Sequence, residues 1–187
     1  MSDQKCTEIV DWIQTYTGKR LYFLNPQPEA ISIVDIAHHL AYICRFGGVI
    51  ITHYSVAQHS VEVSHQVPEH LALAALLHDA AEAYIGDVIT PLKRMIPGIT
   101  DIENRIARTI GVALGVRLPC DAPEVKAADD RMCVTEATAL LPAGARGWGT
   151  EIEPYDVSIN PLTAPEAYTA FMARYHALTK NRKRVIE

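Results

Sequence analysis

The run ALLHDAAEAY constrains this chain more than any other stretch. The surrounding segment 69–84 is rich in Ala and Leu, the composition of a central helix buried on several sides. Two ionisable residues, His78 and Asp79, stand within it. Burying an unpaired charge is costly, so this pair needs a partner, and a metal ion that pairs with both answers the need. Adjacent residues on a helix point about 100° apart, so flanking one ion demands close approach. Glu82 lies four residues after His78 and three after Asp79, on their face. An exposed polar stripe is the plainer reading, and a His-Asp dipeptide alone carries little specificity.

The rest of the chain also reads as helices. Segment 101–115 sets Ile102, Ile106, Ile110, Ala113 and Leu114 in an apolar stripe closed by Gly115. Segment 31–46 presents Ile36, Leu40 and Ile43 on one face. Segment 55–67 presents Val56, Val63 and Val67, with Ser55 as N-cap. Segments 123–141 and 164–178 are further helices. Breakers fall between them: Asn25-Pro26-Gln27-Pro28, then Gly47-Gly48, expected to end the 31–46 helix, then Pro97-Gly98. Segment 142–161 is the longest irregular region, and 49–53 is expected to form a short strand. With no repeat, linker or low-complexity tract, the expectation is one all-α domain over residues 1–187.

Composition excludes several function classes. A net charge of −5 offers no electrostatic grip on nucleic acid. The basic stretch 180–184 (KNRKR) reads as a solvated C-terminus more readily than as a nucleic-acid patch. Cysteines at 6, 44, 120 and 133 form no CxxC pattern and read as reduced thiols of a cytoplasmic protein. The start, MSDQKCTEIV, lacks the order of a signal peptide. The longest strongly apolar stretch, 71–77, is too short to span a bilayer, so no membrane partner is expected.

Two further residues give the His-Asp pair a context. His59 lies in SVAQHSVEVS and Asp129 in VKAADDRMC, 19 residues before His78 and 50 after Asp79. The order His…His-Asp…Asp resembles the HD superfamily of metal-dependent phosphohydrolases. The string AQHS…LLHDAAEAYIGDVITPLK…KAAD is similar to the branch that includes bacterial 5′-deoxynucleotidases. NPQPEAISIVDIAHHLAYICRFGG…YSVAQHS resembles small phage-type dATP triphosphohydrolases. The resemblance runs from about Asp35 to Asp130, roughly half the chain. It implies an HD-type helical bundle in which His59, His78, Asp79 and Asp129 hold one divalent transition metal. That ligand set suits Mn, Co, Fe, Ni or Zn without choosing among them. It also implies hydrolysis of a phosphate ester in a (deoxy)nucleotide by attack of metal-bound hydroxide on phosphorus. Release of phosphate and release of triphosphate are both compatible with the motif. Relatives in the superfamily often form dimers, so a homodimer is expected.

The same resemblance assigns neighbours. Arg45, 14 residues before His59, would grip phosphate. Phe46 would wall the sugar, where the common deoxynucleotidases carry Trp, which leaves sugar selectivity open. Glu82 would orient the water or shuttle a proton. Asp87 would contact the sugar, and Lys93 would bring an ammonium to the phosphate. The alternatives are a helix-end cation for Arg45, a solvated carboxylate for Glu82, a turn or N-cap for Asp87 and a surface lysine for Lys93. His38, His39, His53 and Tyr54 read as hydrogen-bonded structural side chains, and Asp130 as pointing away. Two other functions compete. A non-catalytic HD-fold nucleotide-binding module would be favoured by degenerate ligands, yet all four are present. A di-iron oxidase needs extra ligands that do not fall at the required places.

Overall fold

The computed structural model describes residues 10–180. A short hairpin opens it: β1 (Trp12–Gln14) pairs antiparallel with β2 (Arg20–Tyr22), Ile13 opposite Leu21. Helices follow: α1 (Ile33–Tyr42), α2 (Val56–His65), α3 (Ala72–Leu76), α4 (Glu82–Ile85), α5 (Thr90–Lys93), α6 (Ile99–Leu114), α7 (Pro123–Leu140) and α8 (Ala164–Thr179). Among the described residues the fold is therefore mostly helical, with one two-stranded sheet. Among the described residues, no helix is long and apolar enough to cross a membrane. Of the basic stretch 180–184, all but Lys180 lies outside the described residues, as does Cys6; Cys44, Cys120 and Cys133 are free thiols.

Local chemistry accounts for the helix ends. The Ser55 hydroxyl accepts from Gln58 N–H and starts α2 as expected. Gly115 closes α6 at φ 65°, a left-handed turn that glycine adopts without a steric penalty. Thr163 and Glu166 form a reciprocal capping box on α8. Helices α1, α2, α3 and α8 pack on one another around Ile36, Leu40, Leu76, Leu77 and Phe171, all fully buried. The apolar stripe of α6 adds Ile106 and Ile110 to the same core.

Three expectations need correction. The segment 69–84 is not one helix. It forms a 3-10 turn (Glu69–Leu71), then α3, then turns through residues 77–81, then α4. The helix expected over 31–46 stops at Tyr42, well before Gly47-Gly48, because tertiary bonds take over its backbone. Arg45 N–H donates to Tyr54 C=O at 2.9 Å and Val56 N–H to Ile43 C=O at 3.1 Å. These bonds close the loop 43–56 at its base. The stretch 49–53 is no strand; Ile51 N–H donates instead to Leu140 C=O at the end of α7. The hairpin β1–β2, in turn, has too few residues to show a period in the sequence. It is tied to α1 by Asp35, whose carboxylate accepts from Thr17 N–H at 2.6 Å and the Thr17 hydroxyl at 2.9 Å.

A small second core sets the site. Val63, Ala75, Val125, Ala128 and Met132 bury one another where α2, α3 and α7 meet. Val63 is one turn after His59, Ala75 three residues before His78, and Val125 and Met132 one turn either side of Asp129. Residues three or four apart share a helix face. This apolar contact therefore brings His59 and Asp129 together, and the end of α3 carries His78, two residues beyond Leu76, to the same place.

Candidate metal centre

His59 projects from α2, His78 and Asp79 from the turn between α3 and α4, and Asp129 from α7. The helix break is what lets adjacent residues converge. Leu77 sits at φ −106°, ψ 8°, outside helical geometry, so the 100° divergence of neighbouring helical side chains does not apply. His78 Nε2 comes 3.1 Å from Asp79 Oδ2 and 3.7 Å from Asp129 Oδ1. His59 Nε2 lies 3.2 Å from Asp129 Oδ1 and 3.6 Å from Asp79 Oδ2. One ligand atom each from His59, His78 and Asp129 falls within 4.8 Å of the others, a group that could hold a metal ion. Asp79 borders both imidazoles.

The donor chemistry fits a cation. Both Nε2 atoms are buried and lack a hydrogen-bond partner, which is costly unless something accepts their lone pairs. Each imidazole is oriented through its other nitrogen. His59 Nδ1–H donates to Glu136 Oε1 at 2.8 Å, and His78 Nδ1–H to Ala75 C=O at 2.7 Å. Those bonds select the tautomer whose Nε2 lone pair points into the cluster, the usual arrangement of a metal-binding histidine. Two nitrogens and two carboxylates suit Mn, Co, Fe, Ni or Zn alike.

Electrostatics within the cluster is strongly coupled. Burial raises a carboxylate, yet the charge of the adjoining His78 holds Asp79 down at about 2. Burial is likewise overcome at Asp129, which the adjoining His59 and His78 imidazoles hold well below the carboxylate range. Burial pushes the imidazoles down, but Asp79 keeps His78 well above its ordinary value. His59 is raised too: burial and Arg45 oppose this, while Glu136 and Asp129 prevail.

Glu136 was not singled out in the sequence, and it organises the back of the site. Its buried carboxylate accepts from His59 Nδ1–H, from the Tyr54 hydroxyl at 2.9 Å and from Arg45 Nε–H at 2.9 Å. Despite burial, the charges of Arg45 and His59 keep Glu136 below its usual value, so it stays ionised. Burial and then the Glu136 charge push the Tyr54 phenol far up, so it remains a donor. One signal for Glu136 existed. It lies seven residues after Asp129, two helical turns along the same face, inside the apolar run MCVTEATAL.

The remaining expected residues divide. Arg45 is buried, its Nε held by Glu136 and its Nη1 3.9 Å from Asp79 Oδ2, so its guanidinium reaches the cluster. It is not a helix-end cation, since α1 stops at Tyr42. Glu136 outweighs burial and holds Arg45 protonated. Glu82 opens α4 rather than continuing a helix from His78. It is buried, and its Oε2 has no partner. Burial, then the charges of Asp79 and Asp87, raise the Glu82 carboxyl well above its usual value. Asp87 follows Gly86 and is raised by burial; Arg45 opposes this and Asp79 adds to it. Phe46 lies under the Arg45 guanidinium, 5.2 Å from its ring centre. Lys93 does not stand free for phosphate: its ammonium pairs with Glu103 of α6, because α5 lies against that helix.

Lys126, which the sequence did not flag, lies at the rim. Its ammonium is 3.3 Å from Asp129 Oδ2 and also pairs with Asp130. His39 and His53 are hydrogen-bonded as expected, whereas His38 packs between rings with its buried Nδ1 unpartnered. His39 Nε2 accepts from Tyr16 N–H while its Nδ1–H donates to Ala83 C=O at 2.6 Å, joining hairpin, α1 and α4. His38 stacks between Tyr16 and Tyr42, and His53 bonds Ala41 C=O at 3.3 Å.

No family model matches the chain. Two bacterial proteins are similar over nearly their whole length. The uncharacterized protein YfdR of Escherichia coli is 38% identical over 177 residues, covering 93% of this chain and 99% of YfdR. The uncharacterized protein RCAP_rcc00048 of Rhodobacter capsulatus is 32% identical over 198 residues, covering 91% of this chain and 96% of that protein. Identity at this level over this span means a shared fold and ancestry: the chain belongs to the family of these two proteins.

Proposed function

We propose that this protein is a divalent-metal-dependent phosphohydrolase of the HD type, acting on a (deoxy)nucleotide. The observation that carries the reading is the convergence of two partnerless buried imidazole nitrogens with the carboxylates of Asp79 and Asp129, beside a buried arginine. His59, His78, Asp79 and Asp129 would hold the ion. When bound, a divalent ion supplies Lewis acidity toward water and a phosphoryl oxygen.

The chain's own residues do the rest. With Nε occupied by Glu136, the Arg45 guanidinium keeps its η nitrogens for phosphate oxygens. Glu136 fixes the plane of that guanidinium and the tautomer of His59 at once. Glu82 Oε2, buried and raised in pKa, is suited to holding and passing a proton beside the cluster. Phe46 lies next to Arg45, where the sugar of a nucleotide would follow its phosphate.

The test is a release assay on metal-stripped protein reloaded with Mn, Co, Fe, Ni or Zn in turn, over nucleoside mono- and triphosphates. Release of phosphate marks a nucleotidase, and release of triphosphate marks a triphosphohydrolase. Nucleotides bound without turnover under every metal would favour a binding module instead. Neither binding nor turnover would end the nucleotide reading.

The two lysines separate on the same substrates. Lys126→Ala should raise KM about two- to fivefold, the effect of an exposed ion pair worth about 0.5–1 kcal/mol. Lys93→Ala should leave KM unchanged, since its charge is spent on Glu103. The reverse ranking in KM would restore Lys93 as the phosphate contact.

A further inference from the structure

The irregular stretch 142–161 between α7 and α8 contributes one large aromatic side chain to the surroundings of the site. Trp148 packs against Phe46, ring centres 6.2 Å apart and planes at 43°, and is still 44% exposed. Phe46 in turn lies 5.2 Å from the Arg45 guanidinium, which reaches Asp79. The order from the cluster outward is thus carboxylate, guanidinium, phenyl ring, indole.

Two backbone features belong to this series. Phe46 sits at φ 55°, a left-handed conformation that is sterically unfavourable for a residue with a Cβ. Such strain persists where surrounding structure holds it and marks functional sites more often than chance. Here it is held between the Arg45–Tyr54 backbone bond and Gly47-Gly48, both at positive φ, with the ring against the Arg45 guanidinium. Trp148 is flanked by Gly147 at φ 79° and Gly149 at φ 67°, both in the left-handed region that favours glycine.

We infer that Trp148 stacks on the nucleobase of the substrate and, backed by Phe46, determines how strongly the base contributes to selection. The inference rests on the nucleotide reading above and extends it to the base. A nucleotide holds its base one sugar away from its phosphate, and Phe46 spans the interval between Arg45 and Trp148. Base-on-aromatic stacking is favourable for every base and strongest for extended ring systems, so purine nucleotides should gain most.

The experiment uses fluorescence of the full chain. Trp12 and Trp148 are the two tryptophans, so Trp12→Phe leaves Trp148 as the single indole reporter. Excitation at the red edge of indole absorption avoids the bases. Adenosine and deoxyadenosine nucleotides should quench the emission with saturation, whereas ribose 5-phosphate and inorganic phosphate should not. In kinetics, Trp148→Ala should lower kcat/KM for purine nucleotides about tenfold, mainly through KM, with Trp148→Phe retaining most of it.

Equal quenching by ribose 5-phosphate would overturn the base contact. So would nucleotide hydrolysis by the Trp12→Phe variant with no change in emission; that result leaves the hydrolase reading standing. Failure of every nucleotide to bind or react would overturn both together.

Discussion

Asp79→Ala should abolish hydrolysis and strip the metal, while Glu82→Gln should cost turnover and leave the metal bound. Asp79 Oδ2 lies 3.1 Å from His78 Nε2 and 3.6 Å from His59 Nε2, so its removal takes away a quarter of the donor set. Loss of an outer partner of a metal ligand typically costs 10–100-fold in affinity, and a direct ligand should exceed about 100-fold. Glu82 makes no contact with either imidazole nitrogen, and its raised carboxyl is suited to proton transfer. Glutamine fills the same space and cannot exchange the proton, so kcat should fall by about 10²–10⁴-fold, the range for general acid–base groups. Metal content by elemental analysis and kcat on the reloaded variants are the measurements. Equal metal loss in both variants would make Glu82 a ligand and remove it from proton transfer.

The second large effect is on stability. Glu136→Ala should destabilise the fold by about 3–5 kcal/mol, because it leaves Arg45 as a buried charge without its main partner. It also removes the acceptor for the Tyr54 hydroxyl and for His59 Nδ1–H. Denaturant unfolding with unchanged m-value measures this cost. Glu136→Gln retains an acceptor oxygen and should lose less stability, while metal affinity falls about 10–100-fold as the His59 tautomer is freed. A loss below about 1 kcal/mol in the alanine variant would mean that Arg45 finds water or Asp79 instead. Glu136 would then be no organising residue.

Most helices and the residues that converge at the candidate metal centre were legible in the sequence. Ser55 as the cap of α2, Gly115 as the stop of α6 and the irregular stretch 142–161 depend on local rules: a hydroxyl on a free N–H, a glycine at positive φ, clustered breakers. His59, His78, Asp79 and Asp129 were legible as a set because a charged pair in an apolar run is expensive and two further polar residues shared its pattern. Trp148 was not, since it is an ordinary residue until Phe46 lies against it, and Glu136 shows its role only once Arg45, Tyr54 and His59 meet it.

What the sequence determined by itself is most of the long helices, their buried faces and a set of His and Asp residues suited to a cation. Tertiary structure decided how those residues meet. The Ala- and Leu-rich run favours a continuous helix, and in isolation nothing in 69–84 breaks it. Packing of α3 and α4 against different neighbours, α2 and α1, interrupts it at Leu77, and only that break lets His78 and Asp79 aim at one point. Likewise the backbone bonds across residues 43–56 end α1 early and carry Arg45 to Glu136, a partner 91 residues away. Local propensity cannot encode such pairings, because the packing and hydrogen bonds that offset the cost of burying polar groups exist only in the assembled fold.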